Sequence, residues 1–258
     1  MFDSHVHTSF SCDSDMLIED AIKKCRELEM GIVITDHMDI NPFRGPEFTF
    51  NVDEFFKSYE KHRSEDILMG IELGFRVEAV KENAEIVDGY NFDFILGSTH
   101  APYSMETALE YYDKEYYEGL SKADAYREYF ASMLSGIREN TYFDSLAHID
   151  YIARYSPYDD PEVHYEEFSE EIDAVLSELV LQNKSMEIST RRISTPSVRK
   201  ALLNIYKRFA ELGGETVTIG SDGHATNVIG RDFKLALNVA AETGLRPVYY
   251  KNRKRVFL

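Results

Sequence analysis

Six of the eight histidines in this 258-residue chain stand at the ends of short apolar segments that are typical of β-strands. They are His5, His7, His37, His100, His148 and His224. A single histidine at a strand end is usually a neutral, hydrogen-bonded residue, but six that converge on one face are better explained as metal ligands. Imidazole and carboxylate groups without thiolate suit divalent Zn, Mn or Fe, so the sequence predicts a metal site and leaves the metal open.

The spacing of these residues indicates one shared site. His5 and His7 are two positions apart and therefore project from the same side of a strand. Asp222 and His224 have the same spacing, and Glu72 ends another apolar segment with two carboxylate oxygens that could bridge two ions. We therefore expect these side chains to bind metal ions jointly.

The elements that would position these residues alternate along the chain. Seven strands are predicted at Phe2 to Val6, Gly31 to Thr35, Ile67 to Ile71, Phe92 to Ser98, Ser145 to His148, Met186 to Ser189 and Thr216 to Gly220. Each is followed by a segment with apolar residues at three- and four-residue spacing, which predicts a helix. These seven helices are Ile18 to Glu29, Val52 to His62, Val77 to Val87, Lys122 to Glu139, Glu166 to Gln182, Pro196 to Leu212 and Arg231 to Thr243.

This alternation predicts an α/β fold, and no linker rich in Pro, Gly or Ser interrupts it, so we expect residues 1–258 to form one domain. A barrel and an open, doubly wound sheet both place ligands at the carboxyl ends of their strands. Only a barrel lets all these strand ends surround one point. The positions of the histidines and carboxylates therefore favour a barrel with its metal site at the carboxyl ends of the strands.

The charge of the chain limits its partners. Lys and Arg total 28 and Asp and Glu total 46, which gives a formal net charge of −18, and the one basic stretch is Lys251 to Arg255. Such a charge repels nucleic acid. Cys12 and Cys25 have no metal-finger spacing, and nowhere do roughly 18 apolar residues occur together. We expect a cytoplasmic protein without a membrane span, a monomer or small homo-oligomer, that binds a small molecule.

Two connections are longer than plain connectors require: residues 41–51 and residues 101–120, the second of which is rich in tyrosine. Both leave strand ends on the side of the predicted site. Each could cap a pocket or could be an amphipathic surface insertion.

The order of the motifs resembles the PHP family, named for polymerase and histidinol phosphatase domains. The blocks that carry this resemblance are His-Val-His at 5–7, Thr-Asp-His at 35–37, Glu72, Ser-Thr-His at 98–100, Ala-His at 147–148 and Ser-Asp-Gly-His at 221–224. They extend over nearly the whole chain. The resemblance implies a distorted, TIM-like (β/α)7 barrel with a trinuclear centre of divalent ions.

The resemblance also implies three ligand sets, in which Glu72 is the bridge. One ion would be held by His5, His7, Glu72 and Asp222. A second would be held by Glu72, His100 and His148. The third would take His37, His224 and a group from the loop after the first strand, where some family members have histidine and this chain offers Asp13, with Asp15 as the alternative. Asp13 could instead cap the following helix.

Within the family, the chain looks most like the stand-alone histidinol-phosphate phosphatases. It has no polymerase region, and residues 147–155 and 187–192 resemble segments of those enzymes that carry arginine near the site. The planar guanidinium fork suits phosphate, so Arg154 and Arg191 are the expected phosphate ligands. Arg192 is the alternative to Arg191, because neighbours on an extended segment point in opposite directions.

The implied activity is hydrolysis of L-histidinol phosphate in histidine biosynthesis, by attack of a hydroxide shared between two ions. Glu72, Asp222 and His224 would lie nearest the reaction. The acid that protonates the leaving group stays open among Asp222, His224 and Asp36, and Asp36 could instead orient a ligand imidazole.

Tyr103 or Glu106 could bind the substrate's imidazole. The alternative functions are a phosphoesterase for nucleotides or other small esters and a non-catalytic metal-binding module.

Overall fold

The computed structural model describes residues 1–103 and 107–258, and in these ranges strands and helices alternate. The strands are β1 (Phe2–Val6), β2 (Gly31–Ile34), β3 (His37–Met38), β4 (Ile67–Gly74), β5 (Phe94–Ser98), β6 (Ser145–Leu146), β7 (Ser185–Ser189), β8 (Thr216–Gly220), β9 (Arg246–Lys251) and β10 (Lys254–Phe257). The helices are α1 (Ile18–Leu28), α2 (Val52–Tyr59), α3 (Val80–Gly89), α4 (Lys122–Glu139), α5 (Ser169–Leu181), α6 (Pro196–Glu211) and α7 (Phe233–Thr243).

The strands form one sheet in the order β1-β2-β4-β5-β6-β7-β8-β9-β10, with β3 paired to β4. The pairs from β1 to β9 are parallel, and β10 runs antiparallel to β9. The segment after β8 returns to β1, where Val6 forms a parallel bridge with Gly223. Gly223 also accepts a backbone hydrogen bond from His7 at 2.9 Å. The α/β, TIM-like fold that the sequence predicts is thereby confirmed.

The interior of the sheet changes character from one end to the other, because alternate residues of each strand point inward. One end is filled by an apolar cluster of Phe2, Val33, Leu68, Phe94, Leu96, Ala147, Val248 and Tyr250. Two hydroxyl pairs lie level with Leu96 of this cluster: Ser145 contacts Thr218 at 2.9 Å, and Ser185 contacts Thr216 at 2.7 Å. The imidazoles and carboxylates come last, at the carboxyl ends of the strands.

Apart from shifts of one to three residues at the ends of elements, the structure differs from the predicted elements at two places. β2 and β3 pair with successive halves of β4 and are separated by Thr35 and Asp36, where the sequence predicts one strand ending at Thr35. The β9–β10 hairpin is also absent from the prediction. Its turn residues Asn252 and Arg253 have φ values of 49° and 63°, a mirror-image turn that usually requires glycine and is therefore not signalled by this sequence.

Among residues 1–103 and 107–258, no helix is both long enough and apolar enough to cross a membrane. The single domain and the oligomeric state stay predictions.

Phe75, which follows β4, fills a space that two glycines leave open. A Cβ on Gly97 of β5 would lie 2.2 Å from the Phe75 ring, and a Cβ on Gly136 of α4 would lie 2.7 Å from Phe75 Cβ. Phe75 is itself buried, so its ring has little room to move. The two glycines therefore let α4 pack closely behind the strands that carry the site.

Replacing Gly136 with alanine should lower the free energy of unfolding by about 1–3 kcal/mol, because the clash with Phe75 outweighs the roughly 1 kcal/mol that alanine gains over glycine inside a helix. Urea denaturation measures this difference. The matched control is Gly89→Ala in α3, where no atom lies within 4 Å of the added Cβ. It should be as stable as the original chain or slightly more stable, and equal stability of the two variants would contradict the packing argument.

Candidate functional site

Glu72 lies at the centre of the candidate site, fully buried on the inward side of β4. Its Oε1 lies 3.0 Å from His148 Nε2 and 3.4 Å from His100 Nε2. Its Oε2 lies 2.9 Å from His37 Nδ1, 3.4 Å from His5 Nε2 and 3.6 Å from His7 Nε2. One carboxylate thus lies close to imidazoles from four separate places in the chain.

These imidazoles determine the charge of Glu72. Burial by itself raises the pKa of a carboxyl group, but His5, His100 and His37 outweigh burial and hold the pKa of Glu72 well below its usual range. The carboxylate therefore stays ionised in the interior, where it attracts positive charge.

Asp222 brings the end of β8 to the same cluster. Its Oδ1 lies 3.4 Å from His7 Nε2 and 3.7 Å from His5 Nε2. Asp222 has a φ of 53°, the left-handed conformation, which turns the chain sharply after β8. His224 then follows, and its Nδ1 lies 3.0 Å from the backbone oxygen of Asp222.

Asp13, on the loop after β1, completes a third group. Its Oδ2 lies 3.0 Å from His224 Nε2 and 3.6 Å from His37 Nε2. Burial raises the pKa of Asp13, but its hydrogen bonds with His224 and His37 outweigh burial and lower it below the usual range. These contacts belong to Asp13, which also lines the cavity described below, whereas the alternative, Asp15, does not line it; both residues are exposed.

The donor atoms fit divalent ions better than they fit one another. Within the described residues, His5 Nε2 and His7 Nε2 are buried and have no hydrogen-bond partner, whereas Glu72 Oε2 lies 2.9 Å from His37 Nδ1. The distances from Glu72 Oε2 to His5 Nε2 and His7 Nε2, 3.4 and 3.6 Å, are long for hydrogen bonds. Two ligand atoms of one tetrahedral ion with bonds of 2.0–2.2 Å lie about 3.4 Å apart, so the spacing matches shared coordination.

Groups behind the imidazoles hold them in this orientation. The Nδ1 atoms of three histidines have outer partners: His5 with Glu187 Oε1 at 2.7 Å, His7 with Ser11 Oγ at 3.0 Å and His100 with Asp39 Oδ1 at 2.8 Å. When Nδ1 is held in this way, Nε2 is directed inward as a ligand.

Asp36 lies behind the histidines and not beside the cavity, where an acid that protonates the leaving group would have to lie. It accepts hydrogen bonds from the Thr8 backbone at 2.6 Å and from Ser11 Oγ at 2.7 Å. Ser11 in turn contacts His7 Nδ1. Asp36 therefore orients a ligand imidazole through Ser11, and it does not line the cavity described below.

Sequence reasoning missed Asp39 and Glu187. Glu187 Oε1 contacts His5, and its Oε2 accepts a hydrogen bond from the His148 backbone at 2.8 Å, so it supports two predicted ligands. A signal for Glu187 was available, because a glutamate within a short strand that is buried throughout needs a partner. Asp39 is two residues from His37 and shares its side of the chain, which is the same signal that identifies His5 and His7.

A cavity of about 250 Å³ opens over this cluster. Its floor consists of the residues Asp13, His37, Asp39, His100, His148, Asp222 and His224. Its walls carry Phe48, Glu110, Tyr112, Tyr151, Arg154, Tyr155 and Arg191. Phe48 comes from residues 41–51, and Glu110 and Tyr112 come from residues 107–120, so both long connections cap the pocket.

Two arginines face this cavity. Arg154 Nη1 donates to Asp222 Oδ2 at 2.5 Å, and in the described part of the chain its buried Nε and Nη2 have no hydrogen-bond partner. Arg191 Nη1 lies 3.3 Å from the same Asp222 oxygen. Buried donors without acceptors are costly, so this corner of the pocket favours an anion.

Arg192 points away from the pocket. Its guanidinium forms ion pairs with Asp150 at 2.8 Å and with Glu162 at 2.5 Å. Of the expected phosphate ligand Arg191 and its alternative Arg192, only Arg191 lines the cavity, because successive residues project to opposite sides; phosphate binding by Arg191 stays a prediction.

The opposite side of the pocket is acidic. Glu110 is only 3% exposed, and burial, together with the nearby Asp39, raises its pKa to about 7. The sequence offers Tyr103 or Glu106 for this position instead. Tyr103 is buried outside the cavity lining, and Glu106 lies outside the described residues.

Comparisons with known proteins agree with this geometry. The sequence model of the PHP domain matches residues 3–191. The probable histidinol-phosphatase of Clostridium acetobutylicum is 45% identical over 254 residues, which cover 98% of this chain and 98% of that protein. The histidinol-phosphatase of Lactococcus lactis is 31% identical over 86% of this chain and 83% of its own.

A crystal structure of the histidinol phosphate phosphatase from Lactococcus lactis, complexed with zinc, L-histidinol and phosphate, has the same fold. It superposes with a TM-score of 0.90 at 28% identity and covers 99% of this chain and 98% of that chain.

Replacing Glu187 with glutamine should reduce the divalent metal retained by the purified protein by about tenfold, because an amide is a weaker acceptor for His5 Nδ1 and presents a donor to the His148 backbone. Elemental analysis of the purified protein measures the metal content independently of activity. Glu110→Gln makes the same chemical change at a buried residue of the cavity wall and should retain the full metal content. Equal metal content in the two variants would show that Glu187 does not orient the ligands.

Proposed function

Because the chain belongs to the PHP family, we propose that it is a metal-dependent phosphomonoesterase that hydrolyses L-histidinol phosphate to L-histidinol and phosphate. One observation carries the proposal: the buried cluster of imidazoles and carboxylates shares a cavity with Arg154, whose Nε and Nη2 lack acceptors within the described residues. A phosphate group supplies acceptors to the arginine and charged oxygens to the metal ligands at the same time.

Three divalent ions, Zn, Mn or Fe, would be held by three overlapping ligand sets. The first set is His5, His7, Glu72 and Asp222. The second set is Glu72, His100 and His148. The third set is Asp13, His37 and His224. The two oxygens of Glu72 support its role as a bridge, since Oε1 contacts His148 and Oε2 lies 3.4 Å from His5.

Divalent ions in such a site supply a hydroxide nucleophile near neutral pH and neutralise phosphate charge. The residues of the chain orient the ester around this chemistry. Asp222 joins the metal ligands to the phosphate ligands, because its Oδ1 faces His7 while its Oδ2 pairs with Arg154. Arg154 and Arg191 then hold the phosphate oxygens in one orientation relative to Glu72, Asp222 and His224.

The other side of the pocket supports selection of the organic part of the substrate. L-Histidinol carries a cationic ammonium group and an imidazole that becomes a cation on protonation, and an acidic wall attracts both. Glu110 supplies a buried carboxylate, and Phe48 and Tyr112 supply flat apolar surfaces beside it. A nucleotide offers no ammonium group for this wall.

Phosphate release from a panel of esters tests the proposal. With Zn or Mn loaded separately, kcat/KM for L-histidinol phosphate should exceed that for nucleoside monophosphates and a generic aryl phosphate by about 100-fold or more, because only the first satisfies the acidic wall. His5→Ala, which removes one proposed metal ligand, should abolish release from every ester.

Two other outcomes have distinct meanings. Comparable activity on nucleotides would reject L-histidinol phosphate as the specific substrate. An absence of metal-dependent release from any ester would reject the phosphoesterase assignment and favour a metal-binding module.

The two neighbouring arginines provide a matched pair of variants. Arg191→Met should raise KM for the ester and the inhibition constant of inorganic phosphate by about tenfold, which corresponds to the loss of one charged hydrogen bond. Arg192→Met should leave both constants within about twofold and lower the thermal midpoint, because it breaks the pairs with Asp150 and Glu162. A reversed pattern, seen in steady-state kinetics, would assign the phosphate contact to Arg192.

A further inference from the structure

Two capping segments meet at the mouth of the pocket. The first capping segment is residues 41–51, and the second is residues 107–120. Phe48 of the first and Tyr112 of the second have ring centroids 6.0 Å apart. Asn41 Nδ2 donates to Glu110 Oε1 at 3.2 Å. The wall that faces the organic part of the ester is therefore built from both segments, and its shape depends on how they are held together.

The second capping segment is anchored to the core from behind. Tyr111 is fully buried, its backbone N–H donates to the His100 oxygen at 2.8 Å, and its hydroxyl donates to Glu128 Oε2 at 2.9 Å. Its neighbours Glu110 and Tyr112 both line the cavity instead. Tyr111 thus fixes the backbone of the second capping segment. The side chains of Glu110 and Tyr112 must be held in place by contacts with the first capping segment.

A tight turn in the first capping segment presents Arg44 to this region. The Gly45 N–H donates to the Asn41 oxygen at 3.0 Å. Gly45 has a φ of 103°, which glycine adopts without strain.

Arg44 connects the two segments through three contacts. Its Nη1 donates to Asp113 Oδ2 at 2.8 Å and to the Ala108 oxygen at 3.4 Å, and its guanidinium lies 4.9 Å from the centroid of the Tyr112 ring. The same Asp113 oxygen accepts the backbone N–H of Glu110 at 2.9 Å. One guanidinium thus contacts Tyr112 directly and Glu110 through a single carboxylate.

We propose that Arg44 is a positioning residue that sets the substrate selectivity of the pocket. It lies outside the cavity lining and acts by holding Tyr112 and Glu110 where they receive the organic part of the ester. The phosphate corner, formed by Arg154 and Arg191, works without it. The inference rests on the proposed function for the identity of that organic part.

An ion pair of this kind contributes little to stability, since the Arg44 side chain is 26% exposed and paired surface charges are screened by solvent. The expected effect is therefore on selectivity and not on folding. Small displacements of positioning groups change rates strongly, because the bound ester must be held in a reactive orientation.

Arg44→Met should lower kcat/KM for L-histidinol phosphate by about tenfold, mainly through KM, while kcat/KM for a generic aryl phosphate and the inhibition constant of inorganic phosphate stay within about twofold. Arg44→Lys keeps a charge beside Asp113 and should lose less than Arg44→Met. Arg127→Met is the control, because it breaks an ion pair on the outer surface, in which Arg127 Nε lies 3.1 Å from Glu171 Oε1. It should leave kcat/KM for both esters unchanged.

Hydrogen exchange provides a second measurement. The Glu110 amide should exchange faster in Arg44→Met than in the original chain, because its acceptor Asp113 loses its partner. Equal kinetics of Arg44→Met and the original chain, or an equal loss on both esters, would overturn the proposal.

Failure of the proposed function is distinguishable from failure of this inference. If the original chain prefers a different ester, the substrate assignment fails, and the same variants are compared on that ester and the aryl phosphate. A selective loss on the preferred ester would still support Arg44 as a positioning residue, and its absence would reject it.

Discussion

The site depends on keeping one carboxylate, Glu72, charged inside the barrel. A buried charge is costly unless opposite charge surrounds it, so imidazoles from several strand ends converge on it. His5, His7 and His100 turn Nε2 inward, and each is held by a group behind it, such as Glu187 behind His5. Gly220 leaves room for Glu187, because a Cβ at position 220 would lie 2.2 Å from Glu187 Oε1. The packing of β7 and β8 thus follows from a charge that sits on β4.

The ligands at strand ends can be predicted from the sequence because the two-residue period of a strand fixes which side chains share a side. His5 and His7 are such a case. The supporting groups follow a different rule, since Glu187 meets His5 across 182 positions of sequence and that pairing exists only once the barrel has closed. Arg191 and Arg192 could not be told apart from the sequence for a similar reason. Their side chains are identical, and only the path of the chain after β7 decides which one faces the pocket.

The pocket separates two tasks that many small-molecule sites combine. In the proposed function, its floor and Arg154 would bind the phosphate dianion, and the capping segments would bind the cationic organic group. The net charge of −18 is compatible with this division, because the acids are spread over the surface while the imidazoles and two arginines are concentrated at one point. Selectivity can therefore change through the two capping segments without any change in the metal ligands.

The apolar cluster and the two hydroxyl pairs fill the interior of the sheet away from the cavity, which opens at the carboxyl ends of the strands. In the proposed function, substrate and both products would pass through that opening. The phosphate would occupy the corner formed by Arg154 and Arg191, and the alcohol would lie beside the capping segments. The alcohol would then depart first and inorganic phosphate last, so accumulated phosphate would compete directly with the next substrate molecule.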